Sequence, residues 1–250
     1  MTTQTWSLFL DFDGTLVDIA SRPDNVVIDS TLVPTLQELQ LILEGRFAIV
    51  SGRSLHVLDG FLRPLMFDAA GLHGLETRAG DITTQCDVAG RPELTLALEK
   101  VKRAMDPIQG VIVEDKGCSF SIHWRKAVEA EKLCRHALSE ALKELGSDYR
   151  LQLGKCVGEI LPTEASKGHA IADFLKHPHY RNSRPIFIGD DLTDEDGFRV
   201  VNDNDGVSIH VGNLDTVAQH RLASPAAVLD TLKYWGQTGQ FGSLFKLQTS

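Results

Sequence analysis

The segment SLFLDFDGTLVD, residues 7–18, decides the fold, because a nearly unbroken apolar run ends in two aspartates followed by a glycine. Continuous apolar runs of this kind are typical of strands buried on both faces of a parallel sheet. Asp11 and Asp13 therefore follow the end of a buried strand at residues 6–10. Since open α/β sheets bind ligands at the carboxyl ends of their strands, the segment predicts a polar site there.

Further apolar runs predict the rest of this sheet, at residues 47–50, 66–70, 186–188 and 207–211. Leucines recur at three- and four-residue spacing between the first two strands, at positions 32, 36, 39 and 43, which indicates a helix. Helices are also expected after Ser166 and after Ser224, where a serine N-cap precedes a proline. This alternation of strands and helices predicts an α/β fold with a doubly wound parallel sheet.

The middle of the chain has a different pattern. Residues 92–106 and 127–145 are helical in pattern, while four short segments are typical of antiparallel strands: GVIVED, SFSIHWR, YRLQLG and KCVGEIL. SFSIHWR alternates polar with apolar residues, as a strand with one buried face does. We therefore expect an inserted α+β domain at residues 80–163, with residues 1–79 and 164–250 forming the α/β core.

Composition excludes several classes of protein. The net charge of −9 argues against a general nucleic-acid or membrane surface, and no apolar stretch is long enough to span a bilayer. No secretory signal is visible at the amino terminus. We expect a cytoplasmic monomer with a loosely held glycine-rich tail at 236–250. Four widely spaced cysteines without a CxxC pair are expected to be reduced structural thiols: Cys86, Cys118, Cys134 and Cys156.

Polar groups follow three of the predicted strands. The groups are Asp11 and Asp13, then Ser51-Gly52-Arg53, and finally Asp190 and Asp191 with Asp194, Glu195 and Asp196 close behind. Carboxylates crowded in this way repel one another unless solvent or a cation intervenes. Hard oxygen ligands suit Mg²⁺, which completes its shell with waters and substrate phosphate. The sequence therefore predicts Mg²⁺ and an anionic small-molecule substrate.

Each of these residues has a candidate chemical role in phosphoryl transfer. Asp11 can act as a nucleophile, since carboxylates form aspartyl-phosphates. Asp13, two residues further on, can donate a proton to a leaving alkoxide and then take one from water. Lys167 opens a predicted helix, where its charge and the backbone N–H groups favour an anion. The Ser51 hydroxyl can donate a hydrogen bond to the phosphate.

Each feature alone also has an ordinary explanation. Asp-Gly is a common turn, a lone lysine is normally solvated, and acids at residues 190–196 could open a helix favoured by its dipole. A calcium-binding loop fails, because Gly197 as its sixth residue puts Leu192 at position one, and Gly206 puts Val201 there. No HExxH pattern indicates zinc. The combination is specific because acids, hydroxyl and lysine occur in order on predicted strand ends.

These segments resemble the motifs of the haloacid dehalogenase (HAD) superfamily of phosphohydrolases. DFDGT resembles the first motif, Ser51 the second, Lys167 the third and GDDLTDED the fourth. The resemblance implies a Rossmann-like core, an aspartate nucleophile, an aspartate acid/base, Mg²⁺ and a cap that sets specificity. The metal ligands that it implies are the Asp11 carboxylate, the Asp13 carbonyl and Asp190, with Asp191 or Asp194 in support.

Within the superfamily, GDDLTDEDGF, AGLHGLE and VEDKGCSFSIHWR resemble the trehalose-6-phosphate phosphatases. The resemblance implies hydrolysis of trehalose 6-phosphate to trehalose and phosphate. Related enzymes act on sucrose phosphate, mannosylglycerate phosphate or phosphomannose, so another sugar-phosphate phosphatase or a phosphomutase stays open. A non-catalytic sugar-phosphate-binding regulator is disfavoured because the acids and the lysine of the motifs are all present. A dehalogenase is disfavoured because Asp13 and the acidic fourth motif are what the phosphatases use.

Recognition of a sugar needs donors and acceptors fixed on a rigid sheet, because an unsuitable sugar then leaves buried polar groups unpaired. The resemblance implies sugar contacts at Glu114, Lys116 and Glu159. Further candidate substrate residues are His123 and Arg125 on the alternating strand, His73 and Glu76 near the crossing into the insert, and Gly52 and Arg53 beside Ser51. Without the resemblance, solvent exposure explains the polar strand face and a structural role explains His73. Cap closure is expected to use hinges near Gly80 and Pro162–Thr163.

Overall fold

The computed structural model describes residues 4–20, 22, 25–87 and 90–241. It divides into two compact units, one formed by Met1–Thr84 with Ser166–Ser250 and the other by Gln85–Ala165. The division falls close to the crossings expected near residues 80 and 163. The sequence predicts a loosely held tail at 236–250, but Gly236 is buried in the last helix and Phe241 packs against Trp6 and Trp235 in the core. Its last nine residues lie outside the described residues.

The described residues form twelve strands and seven α-helices. The strands are β1 (Trp6–Leu10), β2 (Phe47–Val50), β3 (Asp68–Gly71), β4 (Glu76–Ala79), β5 (Ile82–Thr84), β6 (Ile112–Asp115), β7 (Phe120–His123), β8 (Tyr149–Gly154), β9 (Val157–Pro162), β10 (Arg184–Gly189), β11 (Val207–Val211) and β12 (His220–Leu222). The helices are α1 (Leu32–Ile42), α2 (Leu55–Leu62), α3 (Pro92–Met105), α4 (Glu131–Leu145), α5 (Lys167–Lys176), α6 (Glu195–Asp203) and α7 (Pro225–Thr238). None of these helices is long and apolar enough to cross a membrane.

The first unit contains an eight-stranded sheet in the order β12-β11-β10-β1-β2-β3-β4-β5. The six strands from β12 to β3 run parallel, and β4 and β5 add an antiparallel edge. The sequence assigned Ile82–Thr84 to the insert, but β5 pairs with β4 and belongs to this sheet. The segment has little apolar pattern because its residues are exposed at the sheet edge.

Helices cover both faces of the central part of this sheet, which explains why its inner strands are rich in apolar residues on both faces. Leu8 and Leu10 of β1 pack in one cluster with residues of α1, α2 and α7. Phe9 packs in the opposite cluster with residues of α5 and α6. The predicted doubly wound α/β class is therefore confirmed. β3 begins two residues later than predicted, and Met66 is exposed.

The second unit is a four-stranded antiparallel sheet in the order β6-β7-β9-β8, covered on one face by α3 and α4. Phe120, Ile122 and Trp124 are buried in the same cluster as residues of both helices. The residues that alternate with them lie on the other face of the sheet, as the SFSIHWR pattern predicts. This second face carries Glu114, His123 and Glu159, three of the residues that the sequence predicts for sugar recognition.

The cysteines differ from the expectation of four reduced thiols. Cys86 and Cys118 form a disulfide within the second unit, with their Cα atoms 6.2 Å apart. That separation lies inside the range in which two cysteines can be joined. Cys134, which is buried, and Cys156 are free. The pairing joins residues 32 positions apart in the chain, so local spacing could not reveal it.

Candidate active site

The carboxyl ends of β1, β2 and β10 meet at one edge of the first unit's sheet. Leu10 is in register with Ile49 of β2 and with Ile188 of β10. The Asp11 backbone N–H donates to the Ile188 carbonyl at 2.9 Å, which fixes the start of the polar segment. Asp11, Ser51 and Asp190 each follow one of these strands. The register therefore brings the three predicted motifs to the same sheet edge.

A buried ion-pair network connects Asp11 with Lys167 and Asp194. The Lys167 ammonium group donates to Asp11 Oδ1 and to Asp194 Oδ1, at 2.7 Å each. All three side chains are almost completely buried. Lys167 is the first residue of α5, whose N-cap Ser166 accepts from the His169 backbone N–H. The Thr15 hydroxyl donates to Asp11 Oδ2 at 3.2 Å, so both carboxylate oxygens of Asp11 are oriented.

Burial and crowding change the acidity of this network. Burial raises the pKa of Asp11 to about 7, with Lys167 opposing the rise and Asp194 adding to it. Burial, together with the charges of Asp11 and Asp194, raises the pKa of Asp190 to about 9. Burial also raises the pKa of Asp194. Burial alone would lower the pKa of Lys167, but its two carboxylate partners raise it. The single positive charge of Lys167 therefore does not neutralise the three aspartates, and the ionised cluster carries an excess of negative charge.

Three of the predicted metal ligands form a cluster. One carboxylate oxygen from each of Asp11, Asp190 and Asp194 lies within 4.8 Å of the other two. Asp191 is not part of this cluster, and its Oδ1 accepts from the Leu192 backbone N–H at 2.7 Å. The donor set, all oxygen and poor in positive charge, fits a hard divalent cation. The cluster can therefore hold a metal ion.

Asp194 also organises the backbone around this cluster. Its Oδ2 accepts from the backbone N–H groups of Asp190 and Asp191, at 3.0 Å each. Its Oδ1 accepts from Lys167 at the same time. Asp194 therefore fixes the orientation of the Asp190 segment in addition to lying in the cluster.

Gly14 allows the Asp190 carboxylate to approach the segment that follows β1. Its φ of +80° is in the left-handed region, and a Cβ added there would collide with the Asp190 carboxylate. Gly14→Ala is therefore expected to lower the affinity of the cluster for a divalent cation about 10- to 100-fold, measured by titration calorimetry with Mg²⁺. Gly60→Ala is the matched control, because a Cβ there meets nothing within 4 Å. Equal Mg²⁺ affinity in the two variants would contradict this role of Gly14.

Asp13 pairs with Arg53 of the second motif. Arg53 Nε donates to Asp13 Oδ2 at 2.6 Å, and its terminal nitrogen donates to Asp13 Oδ1 at 2.8 Å. The guanidinium carbon lies 5.6 Å from the centre of the Phe12 ring and 5.2 Å from that of Phe61. The Ser51 hydroxyl accepts from the Arg53 backbone N–H at 3.2 Å. A bidentate salt bridge between Asp13 and Arg53 thereby links the first and second motifs.

His73 and Glu76 form hydrogen bonds with the backbone of the second motif and of the residues just after it. The His73 backbone N–H donates to the Ser51 carbonyl at 2.9 Å, and its φ of 56° is unusual for a residue other than glycine. A Cβ on Gly52 would lie 2.6 Å from His73 Nε2, so the imidazole rests against that glycine. Glu76 Oε2 accepts from the Leu55 backbone N–H at 2.9 Å. Contact of these residues with a substrate stays a prediction.

The polar face of the second unit contains two hydrogen-bonded groups. Glu159 accepts from Lys116 Nζ at 2.8 Å and from the Ser119 hydroxyl at 2.7 Å. Glu114 Oε2 and His123 Nε2 are 2.8 Å apart. Burial would raise the pKa of Glu114, but the hydrogen bond with His123 and the charge of Lys116 hold it below its usual value.

Thr15, which bonds Asp11 in the first unit, and Ser119, which bonds Glu159 in the second unit, were not predicted as site residues from the sequence. The signals for them were present, since Thr15 lies within DFDGT and Ser119 alternates with Phe120. Arg125, by contrast, donates to the Lys155 carbonyl at 3.4 Å beyond the end of β7. The structure brings Glu114, Lys116, His123 and Glu159 to one face but does not join Arg125 to either hydrogen-bonded group.

A family model and curated relatives identify the same protein family for this chain. The model of the trehalose-phosphatase family matches residues 9–229. A probable trehalose-phosphate phosphatase of Sinorhizobium fredii is 40% identical over 209 residues, covering 83% of this chain and 78% of the relative. The trehalose-6-phosphate phosphatase of Escherichia coli is 37% identical over 223 residues, covering 87% of this chain and 82% of the relative.

Solved structures agree with this result. A trehalose-6-phosphate phosphatase related protein aligns with a TM-score of 0.76 and 26% identity, over 93% of this chain and 97% of that one. A phosphatase of the HAD superfamily from Bacteroides thetaiotaomicron shares the fold, with a TM-score of 0.57 and 15% identity over 93% of this chain and 96% of that one. The chain therefore belongs to the trehalose-phosphatase family of HAD-fold phosphatases.

Proposed function

We propose that this chain hydrolyses trehalose 6-phosphate to trehalose and inorganic phosphate, with Mg²⁺ as its cofactor. The observation that carries the proposal is the buried Asp11 carboxylate, paired with Lys167 beside two further acids at the carboxyl end of β1. Relatives with 37–40% identity are named as phosphatases of this substrate. The expectation of a cytoplasmic monomer that binds neither nucleic acid nor membranes stays a prediction, supported by the net charge of −9.

Asp11 is the proposed nucleophile. Lys167 holds its Oδ1 at 2.7 Å, so we assign the attack on phosphorus to Oδ2, which accepts a longer bond from Thr15. The attack forms an aspartyl-phosphate and releases the sugar. Lys167 also supplies positive charge for the transferred phosphoryl group, and the Ser51 hydroxyl donates to one of its oxygens. Lys167 and a bound cation both favour the ionised form of Asp11 that the attack requires.

Asp13 is the proposed general acid and base. It gives its proton to the leaving oxygen of the sugar and later takes a proton from the water that hydrolyses the aspartyl-phosphate. Arg53 fixes both of its oxygens, which orients the carboxyl group for these transfers. Mg²⁺, when bound, neutralises part of the phosphate and carboxylate charge. It would be held by the Asp11 carboxylate, the Asp13 carbonyl and Asp190, with Asp194 in support.

The second unit is proposed to set substrate specificity, while the first carries out the chemistry. Glu114, Lys116, His123 and Glu159 offer charged and polar groups on a rigid sheet, which suits an uncharged disaccharide rich in hydroxyls. Their hydrogen bonds with one another keep the face satisfied before a sugar replaces them. Gly52, Arg53, His73, Glu76 and Arg125 stay predicted substrate residues, and hinge closure near Gly80 and Pro162–Thr163 stays a prediction.

A substrate panel tests the proposal. Phosphate release would be measured with Mg²⁺ and with a chelator, on trehalose 6-phosphate, sucrose phosphate, mannosylglycerate phosphate and p-nitrophenyl phosphate. We expect kcat/KM to be highest for trehalose 6-phosphate and activity to disappear with the chelator. Preference for another sugar phosphate would replace the substrate assignment. No release from any ester would favour a binding regulator.

The effect of Mg²⁺ on thermal stability is expected to depend on pH. The pKa of Asp11 is about 7 and that of Asp190 about 9, both above the ordinary value of 3.8. Without the cation, the folded state therefore binds more protons than the unfolded state, and stability falls as pH rises from 4 through these values. Mg²⁺ binds the ionised acids and so offsets this loss of folding stability at high pH. The gain in Tm on adding Mg²⁺ is thus expected to be larger at about pH 8.5 than at about pH 5.5.

Asp190→Asn is the companion variant for this measurement. It removes the acid with the more strongly raised pKa, so most of the pH dependence of the Mg²⁺ effect is expected to disappear. Asp215→Asn replaces an aspartate outside the cluster and is expected to behave as the unaltered protein does. A gain in Tm that is larger at acid pH would contradict the assignment of these carboxylates as metal ligands.

A further inference from the structure

The disulfide of the second unit lies beside the residues proposed to bind the sugar. Cys118 is in the turn between β6 and β7, and its partner Cys86 comes shortly after β5. Lys116 and Ser119, on either side of Cys118, both donate to Glu159. The disulfide therefore fastens the turn that carries two of the hydrogen-bond donors to this carboxylate.

The turn has a tightly defined backbone. The Lys116 N–H donates to the Ser119 carbonyl at 3.0 Å, and the Cys118 N–H donates to the Lys116 carbonyl at 3.1 Å. Gly117 has a φ of +81°, and its N–H donates to the Asp115 carboxylate at 3.0 Å. A displacement of Cys118 must therefore move Lys116 and Ser119 as well, because so few residues separate them.

The two sulfur atoms differ in accessibility. Cys118 is fully buried, whereas Cys86 is partly exposed. A dissolved thiolate attacks the sulfur that it can reach. A dissolved thiolate is therefore expected to attack Cys86. Cys118 is then the leaving thiolate on reduction, and it re-forms the disulfide with Cys86 on oxidation. The remaining cysteines, Cys134 and Cys156, are not disulfide-bonded.

We propose that the Cys86–Cys118 pair is a reversible modification site for low-molecular-weight thiols and disulfides, and that its oxidation state sets the affinity for the sugar. The oxidised pair holds Lys116 and Ser119 against Glu159, and the reduced pair lets the turn move. The sugar part of this inference rests on the proposed function. The exchange itself depends only on the arrangement of the two cysteines.

The exchange balances in both directions. On reduction, a dissolved thiolate attacks Cys86 Sγ, forms a mixed disulfide and releases the Cys118 thiolate, which takes a proton. A second thiol then attacks the mixed disulfide, giving two protein thiols and one small-molecule disulfide. On oxidation, a small-molecule disulfide accepts the two electrons, the Cys86–Cys118 bond forms, and two small thiols leave.

The first test measures the exchange without using activity. The full chain would be incubated with glutathione disulfide or dithiothreitol, and its thiols counted after unfolding. Of the four cysteines, we expect two free thiols after oxidation and four after reduction. Hydrogen exchange at the Lys116 and Cys118 amides is expected to become about tenfold faster after reduction. Four thiols under both conditions, or a native protein whose bond dithiothreitol does not reduce, would overturn the proposal.

The second test separates sugar affinity from chemistry. Reduction is expected to raise KM for trehalose 6-phosphate about three- to tenfold, because the donors to Glu159 lose their fixed positions. The kcat/KM for p-nitrophenyl phosphate, which has no sugar, should change less than twofold. If neither oxidation state hydrolyses trehalose 6-phosphate, the proposed function fails, and the thiol count together with hydrogen exchange decides whether the disulfide is a reversible site that fixes the turn. If the oxidised and the reduced protein are both active and have equal KM values for trehalose 6-phosphate, the inference that oxidation state sets sugar affinity is wrong.

Cysteine variants show which thiols are responsible. Cys86→Ser changes the partly exposed partner, and we expect it to have the KM of the reduced protein under both conditions. Cys156→Ser is the matched control and should keep the full redox response, since Cys156 is free. A Cys86→Ser protein that still responds to oxidation, or whose KM equals that of the oxidised protein, would overturn the assignment.

Discussion

Replacing Asp11 by asparagine is expected to lower kcat for trehalose 6-phosphate by about 10⁴- to 10⁶-fold, the loss usual for removal of a nucleophile. In the unaltered protein, Lys167 Nζ donates to Asp11 Oδ1 at 2.7 Å. The amide of asparagine keeps the shape of the side chain, and its oxygen can still accept this hydrogen bond. It lacks the negative charge that attack on phosphorus requires. Phosphate release at saturating substrate and Mg²⁺ measures the effect.

The fold of this variant is expected to survive. Burial raises the pKa of Asp11 to about 7, so the protein bears a cost for the ionised form that a neutral amide avoids. Asp196→Asn is the control, because Asp196 belongs to the same acidic segment but is exposed and pairs with Arg199. It should retain at least half of the activity. An Asp11→Asn protein with a tenth or more of the original kcat would exclude Asp11 as the nucleophile.

The sheet of the first unit could be predicted from the sequence because both of its faces are buried. Continuous apolar runs gave β1, β2 and β11 with their observed bounds, since a strand covered by helices on both sides has no polar face. The edge strand β5 was missed for the opposite reason. Its three residues are all exposed, so burial leaves no pattern in their sequence.

The positions of the site residues could be predicted, but their partners could not. The order of Asp11, Ser51 and Asp190 along predicted strands placed them at one edge, because parallel strands end at the same edge of a sheet. The two-pronged pairing of Asp13 with Arg53 depends on side-chain geometry across 40 residues of chain. Likewise, five acids in seven residues gave no indication that Asp191 bonds its neighbouring backbone instead of joining the cluster.

The Cys86–Cys118 bond marks a further limit of sequence patterns. Widely spaced cysteines without a CxxC pair favoured free thiols, and Cys134 and Cys156 conform to that expectation. Cys86 and Cys118 meet only because the chain between them folds into α3 and β6 and returns through the turn after β6. Such a contact depends on tertiary structure, which residue spacing does not record.

Replacing Lys167 by methionine is expected to destabilise the protein by about 3–5 kcal/mol at about pH 8, the cost usual for leaving buried charges without their partner. Lys167 donates to Asp11 and Asp194, and all three side chains are almost completely buried. Methionine fills similar space but offers no positive charge. Urea denaturation without Mg²⁺ gives the change in free energy of unfolding.

The pH dependence of this loss distinguishes charge from packing. Without the lysine, the pKa values of Asp11 and Asp194 rise further, because Lys167 is the group that lowers both. More of this acidity is then in the protonated form in the folded state at about pH 5 than at about pH 8, so the destabilisation should be smaller at the lower pH. Lys176→Met removes an exposed ion pair with Asp173 and should cost less than about 0.5 kcal/mol at either pH. A loss for Lys167→Met that is equal at both pH values would mean that Lys167 stabilises the fold by packing, and that the acids do not depend on its charge.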